Sequence, residues 1–211
     1  HPLLAFDLDV SLEWDARNDG DFLQNLEAAI QQASAVLFDV SDGQIVIGNV
    51  NIYQNRQNWL ASDMVIYAQN GIRPRASMGG VVDQLLDDLS WDGQVIHNAY
   101  APGQIRIGPN WDPFGVSISE LTSDWQRVLA HELAHYLLFL PDNSLGVGAN
   151  GAPIFIDCRG SFMTNTYDVD YSELLTRPDW LGACLQSIAE HTTGRTDWET
   201  VQRFYSALFQ P

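Results

Sequence analysis

His131-Glu132-Leu133-Ala134-His135 sets two imidazoles four residues apart with a carboxylate beside the first, inside the apolar run Val128-Leu129-Ala130 and Tyr136-Leu137-Leu138. On an α-helix, at about 100° and 1.5 Å per residue, the two histidines share one face about 6 Å apart along the axis. Their ring nitrogens can then converge on a single divalent ion. Glu132 lies about 100° round from His131, so it can reach a water on that ion without being a ligand, which suits a general base for hydrolysis. Zinc held by neutral imidazoles lowers the pKa of its bound water to about 7, which makes hydroxide available near neutral pH. The chemistry implied is that of a zinc hydrolase.

A catalytic zinc needs three protein ligands and one open position, so a third donor has to be found. Asp142 stands eleven positions after His131, behind Leu140-Pro141, while Glu173 and the acidic pair Asp168/Asp170 follow about thirty residues later. In an unbroken helix Asp142 would lie about 16 Å up the axis from His131 and could not share its metal. Pro141 cannot continue the hydrogen-bond ladder and pushes Leu140 out of the α region, and Asp142-Asn143-Ser144 is turn chemistry. The chain is therefore expected to double back and bring the Asp142 carboxylate under the two histidines. Glu173 is the alternative third ligand, on a second helix through Ser172-Glu173-Leu174-Leu175 packed across the first.

The stretch from His131 to Asp142, HELAHYLLFLPD, resembles the long zinc motif of the calcium-activated chloride channel regulator family and its bacterial relatives, which are metzincin-like metallopeptidases. The resemblance implies that Asp142 is the third ligand, that the activity is zinc-dependent endopeptidase cleavage, and that the fold is a metzincin-like two-lobed α+β domain. Two positions depart from the family pattern: Phe139 stands where Gly is usual and Asn143 where Glu is usual. A phenylalanine does not easily adopt a left-handed conformation, so the helix is expected to run one residue further and end at Pro141. Metzincins also carry a tight turn with a Met beneath the metal, and Ser161-Phe162-Met163-Thr164-Asn165, beside Gly160, is similar to it. Such a Met is a soft apolar floor under the ligand rings and not itself a ligand. By the same resemblance Tyr167 is a candidate to bind the metal or stabilise an oxyanion, although it sits farther from the Met than is usual there. Two rival readings use the same residues: a gluzincin-type peptidase with Glu173 as third ligand, and a non-catalytic adhesion or interaction module bearing a metal, cut from a longer chain. An intact Glu132 argues against the second, since a structural zinc site fills its fourth position with protein and has no use for a base.

The 211 residues, 45 % hydrophobic, suffice for one domain split around a cleft, with residues 1–140 as an N-terminal lobe ending in the zinc helix and 141–211 as a C-terminal lobe. Ten basic against 27 acidic residues give a net charge of −17, which repels phosphate backbones and anionic membrane surfaces and excludes nucleic acid as a natural partner. Peptide substrates, basic or extended, fit that charge. Some carboxylates are also candidate Ca²⁺ ligands, since Ca²⁺ takes oxygen donors. Cys158 and Cys184 are the two cysteines. Their pairing as a disulfide would fit a secreted protein, and two buried thiols a cytosolic one; the disulfide and an extracellular location are the expectation. No apolar stretch reaches the roughly 20 residues that span a bilayer, and no basic-then-apolar leader is present, so membrane insertion is not expected and any export signal is expected to have been removed.

The elements that must position these residues are legible in outline. Residues 3–14 alternate polar and apolar as a strand does, and Phe22, Leu26, Ile30, Ala33 and Leu37 recur at helical spacing after the turn set Asn18-Asp19-Gly20-Asp21. Residues 44–53 are rich in β-branched side chains, with a change of phase at Gly48-Asn49 that suggests a bulge, and residues 64–68 are expected to form a buried strand. A short helix is expected near Val82–Leu86, then strands at 95–97 and 105–107. This alternation argues for a mostly parallel sheet with helices packed against it. Ser123-Asp124-Trp125-Gln126 reads as a capping box opening the zinc helix, Asn143 to Pro153 as loop, and Thr196-Asp197-Trp198-Glu199 as a second capping box before a helix through Leu208. His97, on a strand ahead of the zinc helix, reads as structural more readily than as a further ligand. By resemblance, either residues 95–100 or 104–109 form the edge that pairs with extended substrate.

Overall fold

Alternation in the first dozen residues resolves into β1 (Leu4–Leu12), whose Leu8, Val10 and Leu12 are buried on one face. The computed structural model describes residues 2–69, 72–91, 93–110, 121–164 and 173–209. After β1 comes the amphipathic α1 (Phe22–Val40), which buries the predicted Phe22, Leu26, Ile30, Ala33 and Leu37. Then β2 (Ile45–Tyr53) returns parallel to β1. The expected bulge is present: Phe6 pairs with Ile47 but Leu8 with Val50, so Gly48-Asn49 together face Asp7. Asp7 enters the gap and accepts the Asn49 N–H at 2.6 Å, where a Cβ on Gly48 would lie 2.4 Å from its Oδ1.

The strands β3 (Met64–Ile66), β4 (Arg75–Ala76) and β7 (Ile105–Ile107) complete a five-stranded sheet ordered β2-β1-β3-β7-β4. All its pairings are parallel except β4 with β7. The fold is thus α+β with a mixed sheet. Its main core lies between one sheet face and α1 together with α2 (Ser123–Leu138). The opposite face carries Asp7, Asp9 and Asn51 and is partly covered by the segment after β2, where Gln57 accepts from the Ser11 hydroxyl at 2.7 Å.

Several expectations are corrected here. The segment foreseen as a short helix near Val82–Leu86 is a turn leading into β5 (Leu85–Trp91), which pairs antiparallel with β6 (Gln94–Tyr100) as a separate hairpin. Residues 95–100 are therefore not in the main sheet, and 105–107 lie inside it between β3 and β4, so β4 is the sheet edge. Within the expected loop 143–153, Leu145–Val147 forms β8, which pairs with β9 (Pro153–Phe155). Residues 173–176 form no helix; Glu173 bridges to Ser161, and α3 starts at Arg177 and runs to Ala183. Beyond it α4 (Ile188–Thr193) and α5 (Asp197–Phe204) close the described chain, α5 opening on the predicted Thr196/Glu199 capping box but stopping short of Leu208. Cys158 and Cys184 form a disulfide inside a second, smaller apolar cluster with Leu175, Trp180 and Ala189.

Candidate metal centre

Almost every side of α2 is covered, which is why its sequence is apolar beyond a single stripe: Trp125, Leu129, Leu133, Leu137 and Leu138 are all buried. It begins as expected two turns before His131, but the cap differs. Thr122 is the N-cap, its side chain caps nothing, and Gln126 donates instead to the Leu121 carbonyl at 3.4 Å. Three outside hydrogen bonds fix the helix: Trp125 Nε1 to the Gly108 carbonyl at 2.7 Å, Gly79 N–H to the His135 carbonyl at 2.8 Å, and Tyr205 hydroxyl to the Leu137 carbonyl at 2.6 Å. Tyr136 adds a fourth, donating its hydroxyl to Asp63 at 2.6 Å.

The helix ends at Leu138, short of the Pro141 expected. Phe139 takes the left-handed conformation, with φ 62° and ψ 21°, although it is not Gly. The physical reason is its ring, which stacks on Phe204 at 3.9 Å between centroids and meets Tyr100 edge-on at 4.9 Å. That contact outweighs the roughly 1–2 kcal/mol of a left-handed non-glycine residue. Pro141 then prevents any return to helix, and the chain reverses beneath α2.

The reversal brings together the side chains that spacing singled out. His131 Nε2 lies 3.1 Å from His135 Nε2 and 3.1 Å from Asp142 Oδ1, and His135 Nε2 lies 3.4 Å from the same oxygen. Among the described residues, this is the one group of three or more potential metal-ligating side chains. Glu173 is not in it: its carboxylate sits near Asp39 and Asp42, and burial together with those two acids pushes its pKa up. His97 is also elsewhere, exposed on β6 and paired with Asp88 at 2.7 Å. Tyr167, Asp168 and Asp170 lie outside the described residues, as does Asn165. Of the Met-containing turn, Ser161 to Thr164 is closed by a Thr164 N–H to Ser161 carbonyl bond at 3.1 Å, with Met163 fully buried in the main core. The ring that faces His131 belongs to its neighbour Phe162, 6.1 Å between centroids.

The donor set fits a small divalent cation. A tetrahedron with bonds of about 2.0–2.1 Å has edges of about 3.3–3.4 Å, close to the observed triangle. His135 Nδ1 donates to the Leu140 carbonyl, which can only accept, so in the neutral ring Nε2 is bare and aimed at the other two atoms. Among the described residues, His131 Nδ1 is buried without a hydrogen-bond partner. Two nitrogens among three donors favour a zinc-like ion over Ca²⁺. The histidine side chains are 14 % and 11 % exposed and Asp142 is 44 % exposed, so the group opens to solvent on the aspartate side.

Electrostatics couple the four groups. Burial pushes the Glu132 carboxyl above the usual carboxylate range against the pull of His135 and His131, with Arg73 also lowering it. Asp142 moves the other way: burial raises it, but hydrogen bonds from His131 and His135 hold it well below that range. His135 is desolvated, which lowers its proton affinity, yet Asp142 and Glu132 leave it raised overall. Sequence reasoning missed Arg73, and it missed that Phe162 faces His131 and that Asn143, Ser161 and Asp197, read separately as turn and cap residues, form a buried polar cluster behind Asp142, because no spacing signature joins them. No protein-family model, curated protein or solved structure matches the chain.

Proposed function

We propose that the chain is a zinc-dependent endopeptidase of metzincin-like, two-lobed build, with the cleft running past the open side of the His131/His135/Asp142 group. The observation that supports it best is the near-equilateral triangle of two Nε2 atoms and one carboxylate oxygen, with Glu132 buried beside it and feeling all three. His131, His135 and Asp142 would hold a zinc ion there, which would supply Lewis acidity to a substrate carbonyl and to a water molecule. Glu132 takes a proton from the attacking water as the water oxygen bonds to the peptide carbonyl carbon, and delivers it to the leaving nitrogen when the C–N bond breaks. Burial of Glu132 favours its protonated form and so suits the delivery step. Tyr167 enters as an oxyanion or metal partner only through the family resemblance. The Cys158–Cys184 disulfide supports export to an oxidising compartment.

The test is Glu132→Gln. It is expected to keep zinc at one per chain by elemental analysis and to lose turnover of a mixed peptide library by at least about 100-fold. Wild-type cleavage by the variant sinks the mechanism. Zinc uptake without turnover by the wild type, with and without chelator, would assign the chain to a non-catalytic metal-bearing module instead.

A further inference from the structure

The Asp142 side chain is 44 % exposed, and the partners its carboxylate finds are the two imidazoles. A carboxylate in that situation is aimed by its backbone. On one side Pro141 restricts the chain. On the other, Asn143 is fully buried and pinned three times. Its N–H donates to the Met163 carbonyl at 3.0 Å, and its side-chain Nδ2 donates at 2.8 Å both to Ser161 Oγ and to Asp197 Oδ1.

Asp197, 1 % exposed, is the hub. Its Oδ2 accepts from the Ser161 hydroxyl at 3.0 Å and from the Leu175 N–H at 3.0 Å. Ser161 Oγ in turn accepts the Met163 N–H at 3.1 Å. The donors to Asp197 are an amide, a hydroxyl and a backbone N–H, none of them a cation, so the carboxylate is retained at a desolvation cost that an apolar side chain would avoid. The Asn143 side-chain oxygen is buried without a partner among the described residues, so within them that amide is oriented by what it donates.

We infer that Asp197 is a positioning residue: through Asn143 and Ser161 its buried carboxylate locks the Asp142 turn to the Met163 turn and to the start of α5, and so sets how tightly the site grips its cation. The inference rests on the metal reading above. Partners hydrogen-bonded directly to a ligand change metal affinity about 10–100-fold when removed, and this network holds the residue next to one.

Zinc affinity measured by competition with a chromophoric chelator tests it, on the wild type, Asp197→Asn, Ser161→Ala and Val201→Ala. Val201 is a buried core residue of α5 outside the network and serves as the control for plain loss of stability. Asp197→Asn is expected to bind zinc 10–100-fold more weakly and Ser161→Ala about fivefold. Val201→Ala should melt earlier when metal-free and bind zinc as the wild type does. Affinity of Asp197→Asn within twofold of wild type, or an equal loss in Val201→Ala, overturns the inference and leaves the site reading standing. Should Asp197→Asn not fold, unchanged affinity in Ser161→Ala overturns it equally. A wild type that takes up no zinc overturns both.

Discussion

Phe139 shows how a single side chain can reverse a rule about backbone. Replacing it with Gly would relieve about 1–2 kcal/mol of left-handed strain but remove a buried aromatic worth about 3–5 kcal/mol. Phe139→Gly is therefore expected to lower stability by about 2 kcal/mol in urea denaturation, and a stabilised variant would contradict the account. The same ring explains Gly79, where an added Cβ would fall 2.3 Å from the Phe139 ring, so Gly79→Ala should also destabilise. Asp197 makes a prediction about pH. Burial outweighs its three donors and lifts its pKa to about 6, against about 4 for an ordinary aspartate. A carboxyl raised on folding contributes stability that is complete below about pH 4 and lost as pH rises through about 6. In metal-free protein the wild type should thus lose part of its stability advantage over Asp197→Asn, about 2–3 kcal/mol, between pH 4 and pH 7. Melting curves of the pair at both pH values check this; a constant gap counts against it.

At the level of elements, the hairpin β5–β6 has the most to explain, because an isolated two-stranded ribbon is marginal in water. Its anchor is Asp87, 3 % exposed, which takes Arg195 at 2.7 and 3.1 Å and Arg203 at 3.2 Å, while Trp91 meets the His191 ring edge-on at 4.6 Å. The two arginines hold Asp87 below the usual carboxylate range although burial, the largest single influence, pushes it up. Asp87→Ala strands two guanidinium groups and is expected to cost about 2–3 kcal/mol, less than a wholly buried pair because Arg203 is half-exposed. Amide exchange should accelerate in residues 85–100 ahead of the main sheet. This hairpin also marks where sequence reading ran out: Leu85-Leu86-Asp87-Asp88-Leu89 doubles its letters and so hides the period of two that betrays a strand. By contrast β1 and α1 were legible, since each sets its apolar side chains on one face, and so was the bulge at Gly48-Asn49, where the phase of the apolar residues changes. The candidate ligands were legible too, all within twelve consecutive residues. Their support was not, because Asn143, Ser161 and Asp197 meet only through tertiary folding.

For the whole molecule, a charge of −17 makes self-repulsion a standing cost. Raising ionic strength from about 10 to 150 mM shortens the screening length from about 30 to 8 Å, so Tm should rise with salt before any specific effect enters. Zinc should add to this: at a free concentration of 100 times its Kd the folded state gains about 2.7 kcal/mol. Excess chelator should return the melting curve to that of the metal-free wild type, and the His131→Ala variant should gain nothing from zinc. Among the described residues no helix is long and apolar enough to cross a membrane.

The tie between Asn143 and Asp197 spans 54 positions of the chain, and this has a consequence for how the protein is made. The segment bearing both histidines and Asp142 leaves the ribosome well before α5 does. Until α5 docks, Asn143 is tied only to Met163 and Ser161, so on the proposed reading metal capture would belong to the last stage of biogenesis, and a nascent chain stalled short of Asp197 would present the motif to the cell with a weakened grip on an ion.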